Sequence, residues 1–312
     1  MKIVFFGTPP FAAQILQYLF DHGVSVAAII TQPDRPKGRN LELAPSAVKA
    51  AALHISPASL LLQPEKASDP QFLLQLENLH ADLFVVVAYG QILSQKLLVI
   101  PKLGCINVHA SLLPRYRGAA PIQRCLLNGD RETGVSIQKM VFQLDAGDVI
   151  DEAKMSIPLE MTFGELQQAL CDLSKPLLLS VLKRYHSGVP SARAQDSSLV
   201  TMAPKIKPED MEIRWNRSAV DLHNLIRALS PRPGAWCWME NKERKRLKIL
   251  RSRVCEEEGT PGALLAFQKD RCIVAAQTGS LELVEVQPEG KKAMPVADWI
   301  RGCPVPPKFF IE

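Results

Sequence analysis

Aromatic residues make up only 6% of the 312 positions, and there are just six histidines, all dispersed. No cluster has metal-ligand spacing, so no bound metal is expected. The seven cysteines (Cys105, Cys125, Cys171, Cys237, Cys255, Cys272 and Cys303) are an odd number and include no Cys-x-x-Cys pair. That pattern argues against a disulfide framework or a zinc knuckle and points to a reducing compartment, the cytoplasm. Gly-x-Gly-x-x-Gly is missing. The first turn is Gly7-Thr8-Pro9-Pro10, with prolines where a pyrophosphate would need close backbone approach. A nicotinamide-dependent dehydrogenase is therefore set aside. Gly-x-Ser-x-Gly is missing too, and no cysteine stands beside a histidine, so no covalent nucleophile offers itself. No apolar run approaches the ~20 residues that span a bilayer. The opening Met1–Phe6 could start a signal peptide, but Gly7-Thr8-Pro9-Pro10 interrupts it too early and its alternation suits a strand. A soluble protein without membrane contact is expected.

Hydrophobic residues at 47% and charged residues at 22% allow a buried core and exclude wholesale disorder. The length suggests about two domains. A net charge of +5 admits a polyanionic partner without requiring one.

The first part alternates strand and helix patterns. Strands are expected at 2–6, 24–31, 82–88, 105–108 and 135–140, with helices at 11–21 and 120–127. Residues 82–88, Asp-Leu-Phe-Val-Val-Val-Ala, form a continuous β-rich run suited to a strand buried on both faces. This rhythm predicts an α/β fold: a Rossmann-like, mostly parallel open sheet with helices on both sides and ligands beyond the carboxyl ends of its strands. A helix is expected over 163–186, kinked or broken at Pro176. Residues 188–208 have a linker's composition; a helix at 218–229 follows, then short strands at 235–239, 246–254, 263–267, 273–276 and 281–286. Such spacing suits a small C-terminal β-barrel or sandwich. The expected division is 1–188 for a catalytic domain, 189–207 for a linker and 208–312 for an OB-like barrel.

Three stretches carry chemistry: Asn107-Val108-His109, Ser111-Leu112-Leu113-Pro114 and Leu144-Asp145-Ala146-Gly147. Asn107 and His109 are two apart at a strand's carboxyl end, so they point to the same side. An amide that donates two hydrogen bonds, an imidazole that exchanges a proton and a carboxylate that orients it would suit acyl transfer. Spacing alone leaves the plain readings open: a structural histidine at a strand end, an asparagine forming a turn, and Asp145 closing an Asx-turn.

The Asn-Val-His, Ser-Leu-Leu-Pro and Leu-Asp-Ala-Gly elements together resemble the signature of the folate-dependent formyltransferases. Further stretches resemble the members that act on methionyl-tRNA: 5–9 (Phe-Phe-Gly-Thr-Pro), 31–36, 86–90, 117–123, 230–236 and 287–294. The likeness covers nearly the whole chain in the expected order. It implies that 10-formyltetrahydrofolate is the co-substrate, with its pterin against Gln91, Ile92 and Leu93 and enclosed by Ser111, Leu112, Leu113, Pro114 and the Asp145 loop. It implies catalysis by Asn107, His109 and Asp145. It also implies initiator methionyl-tRNA as the formyl acceptor, bound by a monomer. A 10-formyltetrahydrofolate hydrolase or an amino-sugar formyltransferase shares the same catalytic elements and is the runner-up. A non-catalytic RNA-binding protein would leave the Asn-His-Asp arrangement unexplained.

Two basic regions are candidates for RNA contact. From residue 207 onward 18 basic residues face 15 acidic ones, so the second part is not broadly basic. Yet Lys242, Arg244, Lys245, Arg246, Lys248, Arg251 and Arg253 crowd one hairpin with Glu243 as the only acid among them. Such clusters bind phosphates, although a charged edge strand protected from aggregation looks the same. Arg35, Lys37 and Arg39 form the other region. Relatives in the family usually continue this loop with further lysines, whereas this chain has Asn40-Leu41-Glu42. The hairpin is therefore expected to carry more of the binding.

Overall fold

The computed structural model describes residues 1–37, 42–56, 59–241, 243–303 and 305–310. Contacts divide the chain into two units. The first comprises Met1–Gly118, Thr133–Met155 and Gln167–Met202, and the second Ala119–Glu132, Ser156–Leu166 and Ala203–Glu312.

In the first unit a seven-stranded sheet runs in the order Leu60–Leu62, Val26–Ile30, Ile3–Gly7, Leu83–Val87, Cys105–His109, Glu132–Lys139, Val149–Ser156. The first five strands are parallel neighbours, and Cys105–His109 pairs antiparallel with Glu132–Lys139. Ile3–Gly7 and Leu83–Val87 are buried at every position. Leu83–Val87 reads as an unbroken apolar run for that reason, whereas the alternation expected of the opening strand gives way to cover on both faces. The chain leaves Ile3–Gly7 toward one edge and returns on its other side at Leu83–Val87. The carboxyl ends of those two strands thus form a switch point of the kind that holds ligands in open α/β sheets. The helix Pro10–Asp21 starts with Pro at its first position and buries Phe11, Ala12, Ile15, Leu16 and Leu19. Gly7 permits the strand-to-helix turn: a Cβ there would stand 2.7 Å from Ala12 Cβ.

The long helix Phe163–Ser187 runs through Pro176 without a break, so that of the two outcomes expected there, a kink or a break, the break does not occur. Pro176 is exposed, so the carbonyl it leaves unbonded can meet water. The stripe Leu170, Ser174, Leu178, Val181, Leu182 and Tyr185 is buried and offsets the one lost bond.

The second unit is built on a barrel-like antiparallel sheet. Its order is Leu264–Gln268, Arg271–Ala275, Ser280–Pro288, Arg244–Cys255, Ala235–Glu240, Lys308–Phe309, with Met294–Pro295 on Ser280–Pro288. The helix Ala219–Leu229, capped by Ser218 accepting from the Asp221 amide at 3.1 Å, packs into its core beside Trp215, Leu247, Ile249 and Leu283.

The helix Pro121–Leu127 follows one strand of the sheet and precedes another along the chain, as expected, and it clusters with the second unit, as does 156–166. Buried polar groups explain both. Arg227, 3% exposed, donates to the carbonyls of Leu126 and Pro158, and His223 Nε2 lies 3.1 Å from the Leu159 carbonyl. A buried guanidinium must be satisfied, and these two segments supply its acceptors.

Candidate active site

Asn107 and His109 stand on the strand next to Leu83–Val87, at its carboxyl end. Gln138 is directly opposite Asn107 and Ser136 opposite His109 in the antiparallel register. His109 is 6% exposed. Its Nε2 is 2.9 Å from the Tyr116 carbonyl, and since a carbonyl only accepts, Nε2 carries a proton. Nδ1 faces Asp145 Oδ2 at 3.7 Å, long for a hydrogen bond but within ion-pair range for a charged ring. Asp145 is itself held at both oxygens: Oδ1 accepts from Gln138 Nε2 at 3.0 Å and Oδ2 from the Gly118 amide at 2.8 Å. The three residues predicted as a triad are thus brought together, but both ring nitrogens of His109 rest on protein oxygens. The carboxamide of the half-buried Asn107 is the donor left without a side-chain partner among the described residues.

The loop after the strand is tied down by two serines. Ser136 Oγ donates to the Ser111 carbonyl at 2.8 Å and accepts from the Leu113 amide at 3.0 Å, while Ser111 Oγ donates to the Arg115 carbonyl at 2.6 Å. Ser111 and Leu113 are buried, and Leu112 and Pro114 are half-buried. The Ser111 hydroxyl is therefore committed to shaping the loop. Gln91 is similarly engaged: its Oε1 accepts from the Ala67 amide at 2.7 Å and its Nε2 reaches the carbonyls of Pro64 and Glu65. Only main-chain groups of that residue are left for a ligand. Leu93 is buried, whereas Ile92 is 86% exposed and offers an apolar surface at the switch point. In the same turn Tyr89 is buried with its hydroxyl unpartnered among the described residues, and burial pushes its pKa up to about 12.

Gln138, Gly118, Arg117 and Gln195 complete the site, and none was assigned a role from the sequence. Gln138 becomes visible only once the strand register is known, and Gln195 lies in the stretch read as a linker.

The RNA candidates fall in both units. Arg35, on the hairpin of Arg35–Lys37 with Glu42–Ala44, pairs with Glu65 at 2.8 Å. The Lys37 side chain, Arg39 and Lys242 lie outside the described residues. On the other hairpin, Lys245 pairs with Glu243 at 2.7 Å, and Lys248 Nζ donates to the Pro233 carbonyl at 2.7 Å. The guanidinium groups of Arg244 and Arg246 have no carboxylate partner among the described residues, although the Arg246 amide donates to Glu289 Oε2 at 3.2 Å. They lie over aromatic rings instead. Arg246 is 4.2 Å from the Trp236 ring centre and 5.0 Å from that of Trp238, and Arg244 is 5.0 Å from Trp238 and 4.5 Å from Phe310.

A formyl transferase family model matches residues 1–182, and a formyl transferase C-terminal domain model matches residues 205–304. The chain belongs to the formyl transferase family. Its relatives include the methionyl-tRNA formyltransferase of Protochlamydia amoebophila, 52% identical over 97% of this chain and 95% of the relative. That of Moorella thermoacetica is 43% identical over 98% of each chain. Among solved structures, the N-formyltransferase of Helicobacter canadensis in complex with folinic acid and dTDP-3-aminofucose superposes with a TM-score of 0.65 at 17% identity. It covers 91% of this chain and 98% of that one. HypX of Aquifex aeolicus in complex with tetrahydrofolic acid gives 0.65 at 15% identity, over 96% of this chain and 47% of that one. At such identities the structural matches speak for the fold alone. Family membership carries folate involvement with it.

Proposed function

We infer that this protein transfers the formyl group of 10-formyltetrahydrofolate to the amino group of methionyl-initiator-tRNA, giving formylmethionyl-tRNA. The observation that carries the chemistry is an open Asn107 amide two residues from a buried His109 that faces Asp145 at 3.7 Å. The acceptor follows from full-length relatives named for methionyl-tRNA at 41–52% identity.

The site suits a folate. Ile92 gives a planar ring system an apolar surface, and the Ala88–Leu93 turn, with Gly90 at φ +91, presents main-chain donors and acceptors to its edge. The bound folate supplies an activated formyl carbon. The amine of the acceptor attacks that carbon, and Asn107 donates to the formyl oxygen as negative charge develops there. Nε2 of His109 exchanges the Tyr116 carbonyl for the reacting groups. It gives its proton to N10 of the folate as the bond between N10 and the formyl carbon breaks, and takes up the proton lost by the amine, so that tetrahydrofolate leaves. Asp145 stays against Nδ1, orienting the ring and stabilising its positive charge. No bond to the enzyme forms.

RNA binding is assigned mainly to Arg244 and Arg246. Their guanidinium groups lie on aromatic faces, so less rotamer freedom is lost on meeting a phosphate. Arg35 is already paired with Glu65, which lowers its share.

The deciding assay offers 10-formyltetrahydrofolate with methionyl-initiator-tRNA, an amino sugar and water as competing acceptors. Formyl label should enter the charged tRNA, and Asn107→Ala and His109→Ala should each lower kcat by roughly 10²–10³-fold while leaving tRNA binding intact. Formate release without tRNA modification would mean a hydrolase. Label in the sugar would move the acceptor to a small molecule.

A further inference from the structure

Residues 188–202 have a linker's composition, yet they are built into the unit that holds the active site. Arg193 and Val149 form an antiparallel bridge, each amide donating to the other's carbonyl at 2.8 Å. Further on, the Thr201 carbonyl accepts the Arg117 amide at 2.9 Å, and Thr201 Oγ1 accepts the Tyr116 amide at 2.8 Å. Gln195 sits between these anchors. Its Nε2 donates to the carbonyl of Asp145 at 2.9 Å and to that of Gly147 at 2.7 Å. Its Oε1 accepts from Nε and Nη2 of Arg117 at 3.0 and 2.7 Å. A guanidinium only donates, so Oε1 must face Arg117 and the amide nitrogen must face the loop.

The Asp145 loop needs such a hold. Asp145 has φ +49, in the left-handed region that costs a side chain energy, and Phe142 and Leu144 are 68% and 59% exposed. Apolar burial does little to anchor the segment. One side chain instead spans two of its carbonyls, and the guanidinium of Arg117, a residue only 8% exposed, fixes that side chain.

We propose that Gln195 is a positioning residue for Asp145, held in register by Arg117, so that part of the apparent linker serves the chemistry. The proposal rests on the formyl-transfer reading for what Asp145 does, while the clamp itself can be tested without turnover.

The test uses the full chain carrying Gln195→Leu. Expected are a kcat about 10–100-fold lower, KM for both substrates within about threefold of the parent, and an altered pH profile of kcat. In the unliganded protein the Gly118 amide, which donates to the Asp145 carboxylate, should exchange its hydrogen at least about tenfold faster. Should Gln195→Leu fail to fold, Gln195→Glu keeps an acceptor for Arg117 but turns a carboxylate oxygen on the two carbonyls, and the same changes are expected. Parent-like Gly118 exchange with parent-like kcat overturns the proposal. If the parent transfers no formyl group, the functional reading fails, and Gly118 exchange alone then decides the clamp.

Discussion

Gly147→Ala is the sharpest perturbation the site permits. A Cβ built at Gly147 would lie 1.7 Å from the Lys139 carbonyl oxygen and 2.8 Å from its carbon, so the clash is with strand backbone and not with a movable side-chain tip. An ordinary carbon–oxygen contact requires the loop and strand to part by roughly 1.5–2 Å. That opening breaks the Lys139 amide's bond to the Asp148 carbonyl, 2.9 Å long, and draws the Gly147 carbonyl away from Gln195. Asp145, two residues away, moves with the loop. Displacing a reacting group by about 1 Å can cost 10²-fold in rate, so kcat/KM for formyl transfer should fall by at least about 10²-fold, or about 2.7 kcal/mol of transition-state stabilisation. Overpacking should cost about 1–3 kcal/mol of stability, read from denaturant unfolding. Near-UV circular dichroism of the variant separates loss of rate from loss of fold. Gly302→Ala is the control, since its Cβ would sit 3.6 Å from the Trp299 carbonyl and meet nothing closer among the described residues. A Gly147→Ala protein with kcat/KM within threefold of the parent would refute the reasoning, because it would mean that the loop can move without disturbing Asp145.

Trp238 lies under both Arg244 and Arg246, so Trp238→Ala should weaken tRNA binding about 3–10-fold, whereas Arg246→Ala should also flatten the slope of log affinity against log salt by about 0.7–1. An unchanged salt slope in filter binding would remove Arg246 from the phosphate contacts. Burial raises the thiol pKa values of Cys105 and Cys272 to about 12 and that of Cys171 to about 11, while Cys255 is only half-buried. Iodoacetamide at pH 8 should therefore modify Cys255 first, and mass spectrometry finding early label on Cys105 would contradict the burial. The Lys2 amide donates to Asp82 at 2.6 Å and holds its carboxyl below the ordinary 3.8. A depressed carboxylate stabilises the fold fully above its unfolded pKa and loses that contribution as pH falls through the lower folded value. Asp82→Asn should thus flatten the acid limb of stability below about pH 4, and an acid-unfolding curve with unchanged slope would show the contact to be idle.

Local pattern, and chemistry within a few residues, can be read directly along the chain. The apolar run at Leu83–Val87 announced a buried parallel strand, because a strand covered on both faces has no polar alternation to show. Asn107 and His109, two apart on one strand, announced a shared face, and the missing Gly-x-Gly-x-x-Gly removed the commonest ligand of such a sheet. Matters that depend on distant partners come into view with the fold. Pro176 stays helical because a buried stripe outweighs one missing bond, and Pro121–Leu127 joins the second unit because Arg227 needs its carbonyl. Gln138 faces Asn107 through an antiparallel register that no local pattern encodes. Gln195 looked like linker because its role is one side chain bridging carbonyls about fifty positions away. A hydrogen bond of that range leaves no periodicity, since periodicity records which face is buried and not which partner a polar group has found.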